Sequence, residues 1–70
     1  MDRKPVGSSN IASVGYDAPE RVLEVEFKKG GVYRYKGVSQ NTHDGLMAAE
    51  SKGKYFYANI RNVYEWEKAS

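Results

Sequence analysis

Aromatic side chains interleaved with basic ones are the main chemical feature of this 70-residue sequence, which contains six Tyr, two Phe and one Trp. Aromatic rings stack on nucleobases while nearby cations bind phosphate, at about 1–3 kcal/mol per stacked base. Tyr and Arg are also enriched in subunit interfaces. The pattern indicates binding, either of a nucleotide or of a protein. The candidate ligand-binding residues are Tyr33, Arg34, Tyr35, Lys52, Lys54, Tyr55, Tyr57 and Arg61.

Residues suited to catalysis are sparse. His43 and Asp44 form the only adjacent acid–base couple, and neighbouring residues of a helix point apart. With one His and no Cys, the chain has no multi-His metal site and no cysteine nucleophile. Tyr and Glu can in principle serve as general acids or bases. The residues nevertheless favour a protein that is not an enzyme and uses no cofactor or metal.

Two lysine–glycine segments are candidate anion sites. Segment 28–31 (KKGG) offers backbone N–H groups and two ammonium groups, but an ordinary hairpin loop explains it better because Walker spacing is absent. Segment 51–54 (SKGK) is the better candidate. If a helix begins there, its free N–H groups and positive dipole end lie beside two lysines. A capped helix start with a basic first turn explains this segment equally well.

The secondary-structure elements that position these residues follow from hydrophobic periodicity. Alternation predicts strands over 11–16, 21–27 and 32–36. A change of period after Ser39, a candidate N-cap, predicts a helix over 40–50. Residues 54–61 fit a helix better than a strand, and 63–67 suit a short final strand. The fold class is therefore α+β: a three-stranded antiparallel meander followed by two short helices and a short final strand. Residues 1–10 are predicted to be a flexible leader to a single domain over 11–70.

The register of the central hairpin can be predicted from its two faces. Pairing Phe27 with Tyr33 and Val25 with Tyr35 places apolar side chains together on the inner face. The same register sets Glu26 opposite Arg34 and Glu24 opposite Lys36 on the outer face. Each of these pairs is favourable by about 0.2–1 kcal/mol. Because Tyr33 and Tyr35 then face the core, packing is the default role for both.

Length and charge limit the possible partners. The net charge of +2 is too small to indicate a long polyanion as partner. No apolar run reaches the roughly 20 residues of a membrane helix, and residues 1–10 do not resemble a signal peptide. We therefore expect a cytoplasmic protein of a bacterium or of a virus that infects one, without a membrane partner. Chains this short often depend on oligomerisation.

Features along most of the chain resemble the KTSC domain, a small module found at the C-terminus of some lysyl-tRNA synthetases and as a free-standing protein of bacteria and their viruses. The resemblance covers about residues 8–66. The features that carry it, in order, are Ser8-Ser9, Ile11, Gly15-Tyr16-Asp17, Leu23, Val25, Phe27, Gly31, Tyr33-Arg34-Tyr35, Gly37-Val38, Ala49, Ser51-Lys52-Gly53-Lys54, Tyr55-Phe56 and Ile60-Arg61. The chain departs from the family pattern at Ser39, at His43-Asp44 and at Tyr57.

The resemblance implies two binding functions. The role proposed for the family is RNA binding, and small viral proteins of this general build act as sponges that hold nucleotide immune signals. Our leading hypothesis is a homo-oligomer that sequesters a nucleotide or cyclic nucleotide between its subunits. The alternatives are a single-stranded RNA-binding module that uses the same residues and a protein-interaction domain without a small ligand.

Oligomerisation is the prediction that follows from short length and surplus aromatic residues. A chain of 70 residues has little interior, so a second copy is expected to bury part of its aromatic surface. We expect light scattering at micromolar concentration to give the mass of a dimer or larger. A clean monomer of 7.9 kDa would contradict the sequestering oligomer, though not RNA binding.

Overall fold

A five-stranded antiparallel sheet and two helices make up the fold in the computed structural model, which describes residues 2–70. The elements are β1 (Arg3–Pro5), β2 (Ile11–Asp17), β3 (Val22–Phe27), β4 (Val32–Lys36), α1 (Gln40–Ala48), α2 (Lys52–Asn59) and β5 (Trp66–Lys68). Their order in the sheet is β1-β2-β3-β4-β5. Both helices belong to the connection between β4 and β5, which are neighbours in the sheet. The predicted α+β class, the meander, the two helices and the final strand are confirmed.

Strand β1 is the element that the sequence did not predict. Arg3–Pro5 lies within the segment expected to be a flexible leader, but it pairs with β2 at Arg3↔Gly15, Lys4↔Val14 and Pro5↔Ser13. The short RKP sequence has no hydrophobic alternation, because all three residues are exposed at the sheet edge. Lys and Pro are typical of edge strands. Contacts with β2 and β3, rather than local propensity, place this strand.

Both helices begin at a serine cap. The Ser39 Oγ accepts a hydrogen bond from the Thr42 N–H at 3.3 Å, as expected for the predicted N-cap. Ser51 does the same for the Lys54 N–H at 3.4 Å, so α2 begins at Lys52, two residues before the predicted start. Neither helix in the described part of the chain is long and apolar enough to cross a membrane.

The helices cover one face of the sheet and enclose a single core. Leu46 from α1, Phe56 from α2 and Ile60 after α2 are almost completely buried against the sheet. The sheet contributes Ile11, Val14, Leu23, Val25 and Tyr35, and Val38 follows β4. A register shift between Ile11 and Ser13 breaks the alternation of β2. This irregularity lets both Ile11 and Val14 face the core.

The predicted register of the β3–β4 hairpin is wrong by two residues. Val25 pairs with Tyr33 and Glu24 with Arg34, whereas Phe27 opposite Tyr33 and Glu26 opposite Arg34 were expected. A tight turn causes the difference. The Gly30 N–H donates to the Phe27 carbonyl at 2.9 Å, and Gly30 and Gly31 both have positive φ, 111° and 93°. A shift of two residues preserves both faces, so the assignment of side chains to faces holds.

A buried carboxylate joins the strands on the outer face. Glu24 is only 4% exposed, and it forms ion pairs with Arg3 of β1 and with Arg34 of β4, the second at 2.8 Å. Gly15 lies between Arg3 and Glu24 in the cross-strand row. Because Gly15 has no side chain, the Arg3 guanidinium reaches across β2. Ser13 also joins this row, accepting from Arg3 Nε at 3.1 Å and donating to Glu26 at 2.8 Å.

The two arginines determine the ionisation of Glu24. The hydrogen bond from Arg34 holds the pKa of Glu24 below its usual range, against the opposing effect of burial, and Arg3 adds to the lowering. A carboxyl group with a lowered folded-state pKa stabilises the fold above its unfolded pKa of about 4.3. That stabilisation is lost as the pH falls through the lower, folded pKa.

Glu24→Gln should therefore destabilise the fold in a pH-dependent way. We expect a loss of about 2 kcal/mol in the free energy of unfolding at neutral pH, since hydrogen bonds to charged groups contribute about 1.5–3 kcal/mol. The difference from wild type should shrink as the pH falls below about 4. Urea denaturation across this pH range measures both effects.

Glu65→Gln is the matched control for this substitution. Glu65 is exposed, and its carboxylate has no ion pair within residues 2–70. We expect little change in stability at any pH. Equal losses for the two variants, or a Glu24→Gln loss that does not change with pH, would contradict a stabilising role for the ionised Glu24.

Candidate functional site

An open groove of about 520 Å³ lies between the β3–β4 hairpin, α2 and the segment that leads into β5. On the sheet side it is lined by Phe27 at the end of β3 and by Tyr33 and Tyr35 of β4. The residues that line it are Ser9, Asn10, Ile11, Phe27, Lys28, Lys29, Gly30, Tyr33, Tyr35, Gly53, Phe56, Tyr57, Arg61, Asn62 and Trp66.

Two large aromatic rings are half exposed in this groove. Tyr57 is 56% and Trp66 is 55% exposed, although rings of this size are usually more buried. Trp66 meets Tyr33 edge to face, with ring centroids 5.4 Å apart. Tyr57 packs edge to face against the buried Phe56 at 6.1 Å. The core therefore supports both exposed rings from beneath and leaves part of each free to contact another planar group.

The charge in the groove is of one sign. Lys28 and Lys29 come from the hairpin turn and Arg61 from the end of α2, and the described residues that line the groove include no Asp or Glu. The guanidinium of Arg61 lies over the Tyr57 ring, 4.8 Å from its centroid. This arrangement attracts anions and repels cations.

Tyr35 extends from the core to the groove. Its ring packs edge to face on Phe56 at 5.2 Å, and the residue is 4% exposed. Burial raises the pKa of the Tyr35 hydroxyl above its usual value; Tyr33 and Tyr57 act in the same direction and Arg61 opposes them. The hydroxyl is therefore protonated at neutral pH and can donate a hydrogen bond.

The structure brings together four of the eight sequence-predicted site residues. Tyr33, Tyr35, Tyr57 and Arg61 line the groove. The others lie elsewhere: Arg34, Lys52, Lys54 and Tyr55. Arg34 points to the opposite face of the sheet, where it pairs with Glu24. Alternation along β4 separates Arg34 from Tyr33 and Tyr35, because successive side chains of a strand face opposite sides.

The three remaining residues belong to the start of α2. The Lys52 ammonium donates to the Ala49 carbonyl at 3.1 Å, near the end of α1. Lys54 is exposed, and its backbone N–H donates to the Ser51 cap. The Tyr55 hydroxyl lies against Gly45 of α1, so this ring fills the space between the two helices.

Several groove residues were not among the sequence-predicted site residues. Trp66 was placed in the final strand without a binding role, and Asn10 and Asn62 carried no signal because isolated amides have no characteristic spacing. Lys28 and Lys29 were noted as a candidate anion site but were considered more typical of a hairpin loop. Only the proximity of the turn to α2 brings these lysines to the aromatic rings.

His43 lies outside the groove. Its ring stacks on Tyr16 with centroids 4.6 Å apart and planes inclined by 11°, and its Nδ1 is 3.1 Å from the Asp44 carboxylate. Residues 2–70 contain no group of three His, Cys, Asp or Glu side chains that could hold a metal ion.

Comparison with known proteins identifies the family. The model of the KTSC domain matches residues 7–64. The chain belongs to the KTSC domain family. A crystal structure of a KTSC domain protein from Yersinia pestis is similar over 99% of this chain and 97% of that one, with a TM-score of 0.96 and 40% identity. The family resemblance inferred from the sequence is confirmed.

Relatives of this KTSC domain occur in two settings. An uncharacterized protein of Stutzerimonas stutzeri is 41% identical over 56 residues, which make up 80% of this chain and 79% of the relative. A lysine–tRNA ligase of Trichormus variabilis is 36% identical over 67 residues, which make up 96% of this chain and 12% of the ligase. Sequences similar to this chain therefore occur both as a protein of similar length and as a small part of a much longer one.

The contact between Gly45 and Tyr55 gives a test of the helix packing. Alanine in a helix normally stabilises by up to about 1 kcal/mol relative to glycine. A Cβ at Gly45, however, would lie 2.7 Å from Tyr55 Cζ. We expect Gly45→Ala to lower the free energy of unfolding by about 1–3 kcal/mol, the usual cost of overpacking, as measured by urea denaturation.

The Tyr55→Ala background is the control for this clash. With the ring removed, Gly45→Ala should stabilise the protein, because only helix propensity remains. If Gly45→Ala stabilises the otherwise unchanged chain, Tyr55 does not occupy the space between the helices.

Proposed function

We propose that this KTSC domain is a binding protein whose groove holds a nucleotide unit, that is, a base together with its phosphate. The observation that carries the proposal is the pair of half-exposed aromatic rings beside basic side chains, with no acidic residue among the described lining. The protein binds the nucleotide and performs no chemistry on it. Its compartment is the bacterial cytoplasm, where nucleotides and RNA are abundant.

The exposed rings support base binding. Trp66 offers a π surface, and stacking on such a ring contributes about 1–3 kcal/mol per base. Tyr57 is equally exposed, but the Arg61 guanidinium already lies over its ring. Asn10 and Asn62 line the same groove and supply amide donors and acceptors for a base edge. The groove, at about 520 Å³, falls within the usual size range of small-ligand sites.

The charges support phosphate binding. Lys28, Lys29 and Arg61 bring three positive charges to the groove, and no lining residue among those described is acidic. Over the whole chain the net charge is only +2. The positive charge of the groove therefore exceeds that of the chain as a whole, which fits a compact phosphate ligand better than a long polyanion.

A homo-oligomer that sequesters a small nucleotide is the first form of this proposal. The groove is open on one side, and the exposed Val63 and Trp66 lie along the segment beside it. A second copy packed against that segment would cover apolar surface and close the site. A phage-type sponge for nucleotide immune signals would work in this way.

A single-stranded RNA-binding module is the second form. The match to about one eighth of a lysine–tRNA ligase supports it, since that enzyme acts on an RNA. An open groove also lets a strand enter and leave, and stacked aromatics with flanking bases are typical of single-strand sites.

Salt dependence distinguishes the two forms. We expect the protein to bind a cyclic dinucleotide with a shallow dependence on salt between about 50 and 300 mM, because few phosphates are contacted. For a short RNA, the logarithm of the binding constant should instead fall with the logarithm of the salt concentration at a slope of about −0.7 per phosphate contacted.

Trp66→Ala should weaken ligand binding by roughly tenfold, since it removes a stacking surface and Trp66 has little part in the core.

Arg61→Gln and Lys54→Gln form the matched pair for charge. Both positions are exposed and both substitutions remove one positive charge, but only Arg61 lines the groove. Affinity should fall mainly for Arg61→Gln. Tight and salt-insensitive dinucleotide binding supports sequestration, whereas steeply salt-dependent binding of RNA alone supports the RNA module. If neither ligand binds, the proposal is wrong and a protein-interaction domain takes its place.

A further inference from the structure

Three phenol hydroxyls of this groove have no hydrogen-bond partner among residues 2–70. Tyr33 and Tyr35 are two residues apart on β4, so their side chains share its inner face. Tyr57 comes from α2, on the other side of the groove. By contrast, the hydroxyls of Tyr16 and Tyr64, which lie outside this groove, contact the Val38 carbonyl at 2.5 Å and the Thr42 hydroxyl at 3.3 Å. The Tyr55 hydroxyl, between the two helices, also lacks a hydrogen-bond partner among residues 2–70, so what distinguishes Tyr33, Tyr35 and Tyr57 is that they line one groove.

Tyr35 is the most informative of the three. Only 4% of the residue is exposed, yet no fully buried side-chain oxygen or nitrogen in the described chain lacks a partner. The Tyr35 hydroxyl must therefore be accessible, and the groove that Tyr35 lines is where it opens. Water can therefore accept the hydrogen bond of this hydroxyl. A ligand oxygen in the groove would take the place of that water.

The surroundings of Tyr35 determine which ligand fits. Its hydroxyl is protonated at neutral pH and acts as a donor, because burial raises its pKa, and Arg61 lines the same groove. Arg61 itself is positioned by the Tyr57 ring, 4.8 Å below its guanidinium. Two O–H donors and a guanidinium that line one groove, without a carboxylate among the lining residues described, match an oxyanion.

We propose that Tyr33, Tyr35 and Arg61 form the phosphate subsite of the groove, in which the two hydroxyls and the guanidinium donate to the phosphate oxygens of the ligand. The identity of the ligand as a nucleotide rests on the proposed function above, but the subsite itself rests on these three residues. The Y-x-Y sequence then has a chemical role: both rings pack against core residues while both hydroxyls reach the ligand.

This location differs from the one favoured by sequence alone. Segment 51–54 was the better anion candidate, but the Lys52 ammonium is held by the Ala49 carbonyl and Lys54 does not line the groove. Ser51 already accepts the Lys54 N–H that an anion would use. The start of α2 is therefore occupied by its own cap and helix contacts.

Three probes separate the phosphate subsite from base binding: adenosine, inorganic phosphate and adenosine monophosphate. NMR-monitored titration of the wild-type protein should show that phosphate and the monophosphate shift the signals of Tyr33, Tyr35 and Arg61, whereas adenosine shifts mainly Trp66. Tyr35→Phe keeps the ring and removes only the hydroxyl. This substitution should weaken binding of the monophosphate about tenfold, which is about 1.4 kcal/mol, and leave the affinity for adenosine unchanged.

Tyr16→Phe is the control, because it removes a hydroxyl that bonds the Val38 carbonyl outside the groove. It should leave binding of all three probes unchanged. The subsite is disproved if phosphate and the monophosphate leave the signals of Tyr35 and Arg61 unmoved, a result that needs no variant to fold. The subsite is also disproved if Tyr35→Phe weakens the binding of adenosine and of the monophosphate equally. If phosphate binds at Tyr35 but adenosine does not bind, the subsite stands and the nucleotide proposal fails.

Discussion

The two short helices leave the β4–β5 end of the inner face of the sheet partly uncovered, and this shapes the molecule. Trp66 of β5 pairs with the buried Tyr35 of β4, yet Trp66 itself is 55% exposed. The core forms where helix and sheet meet, around Leu46, Phe56 and Leu23. Beyond that contact, the aromatic side chains at the β4–β5 end are covered only in part. The candidate site is this uncovered area, and its floor is continuous with the core.

The opposite face of the sheet supports the site by a different means. Neither helix of residues 2–70 packs there, and a row of charged side chains replaces hydrophobic contact. Arg3 and Arg34 hold Glu24 between β1 and β4, and the Lys36 ammonium lies 3.5 Å from Glu67 of β5. Glu24 is buried with both partners in place, which makes its environment costly to disrupt. Because Arg34 is committed to this face, the inner face of β4 is left to Tyr33 and Tyr35.

The strands, helices and their faces could be predicted from sequence because they depend on short-range alternation and on capping residues. Val25, Tyr33 and Tyr35 were correctly assigned to one face, and Ser39 was correctly predicted as a cap. The hairpin register was wrong because alternation has a period of two and cannot distinguish registers that differ by two residues. The turn at Gly30 and Gly31 decided it. Strand β1 was missed because an exposed edge strand of three residues has no hydrophobic pattern.

The candidate site shows the same division. Residue types and their order were enough to indicate the chemistry, an excess of Tyr with interleaved cations, and to indicate the KTSC family. Which of these residues lie next to each other depends on how the whole chain packs. That packing placed Arg34 on the far face, used Lys52 and Tyr55 in the helix pair, and brought Lys28, Lys29 and Trp66 to Tyr57 and Arg61. The physical reason is that these groups come from a turn, a helix end and a strand far apart in the chain, and long-range packing alone sets the distances between them.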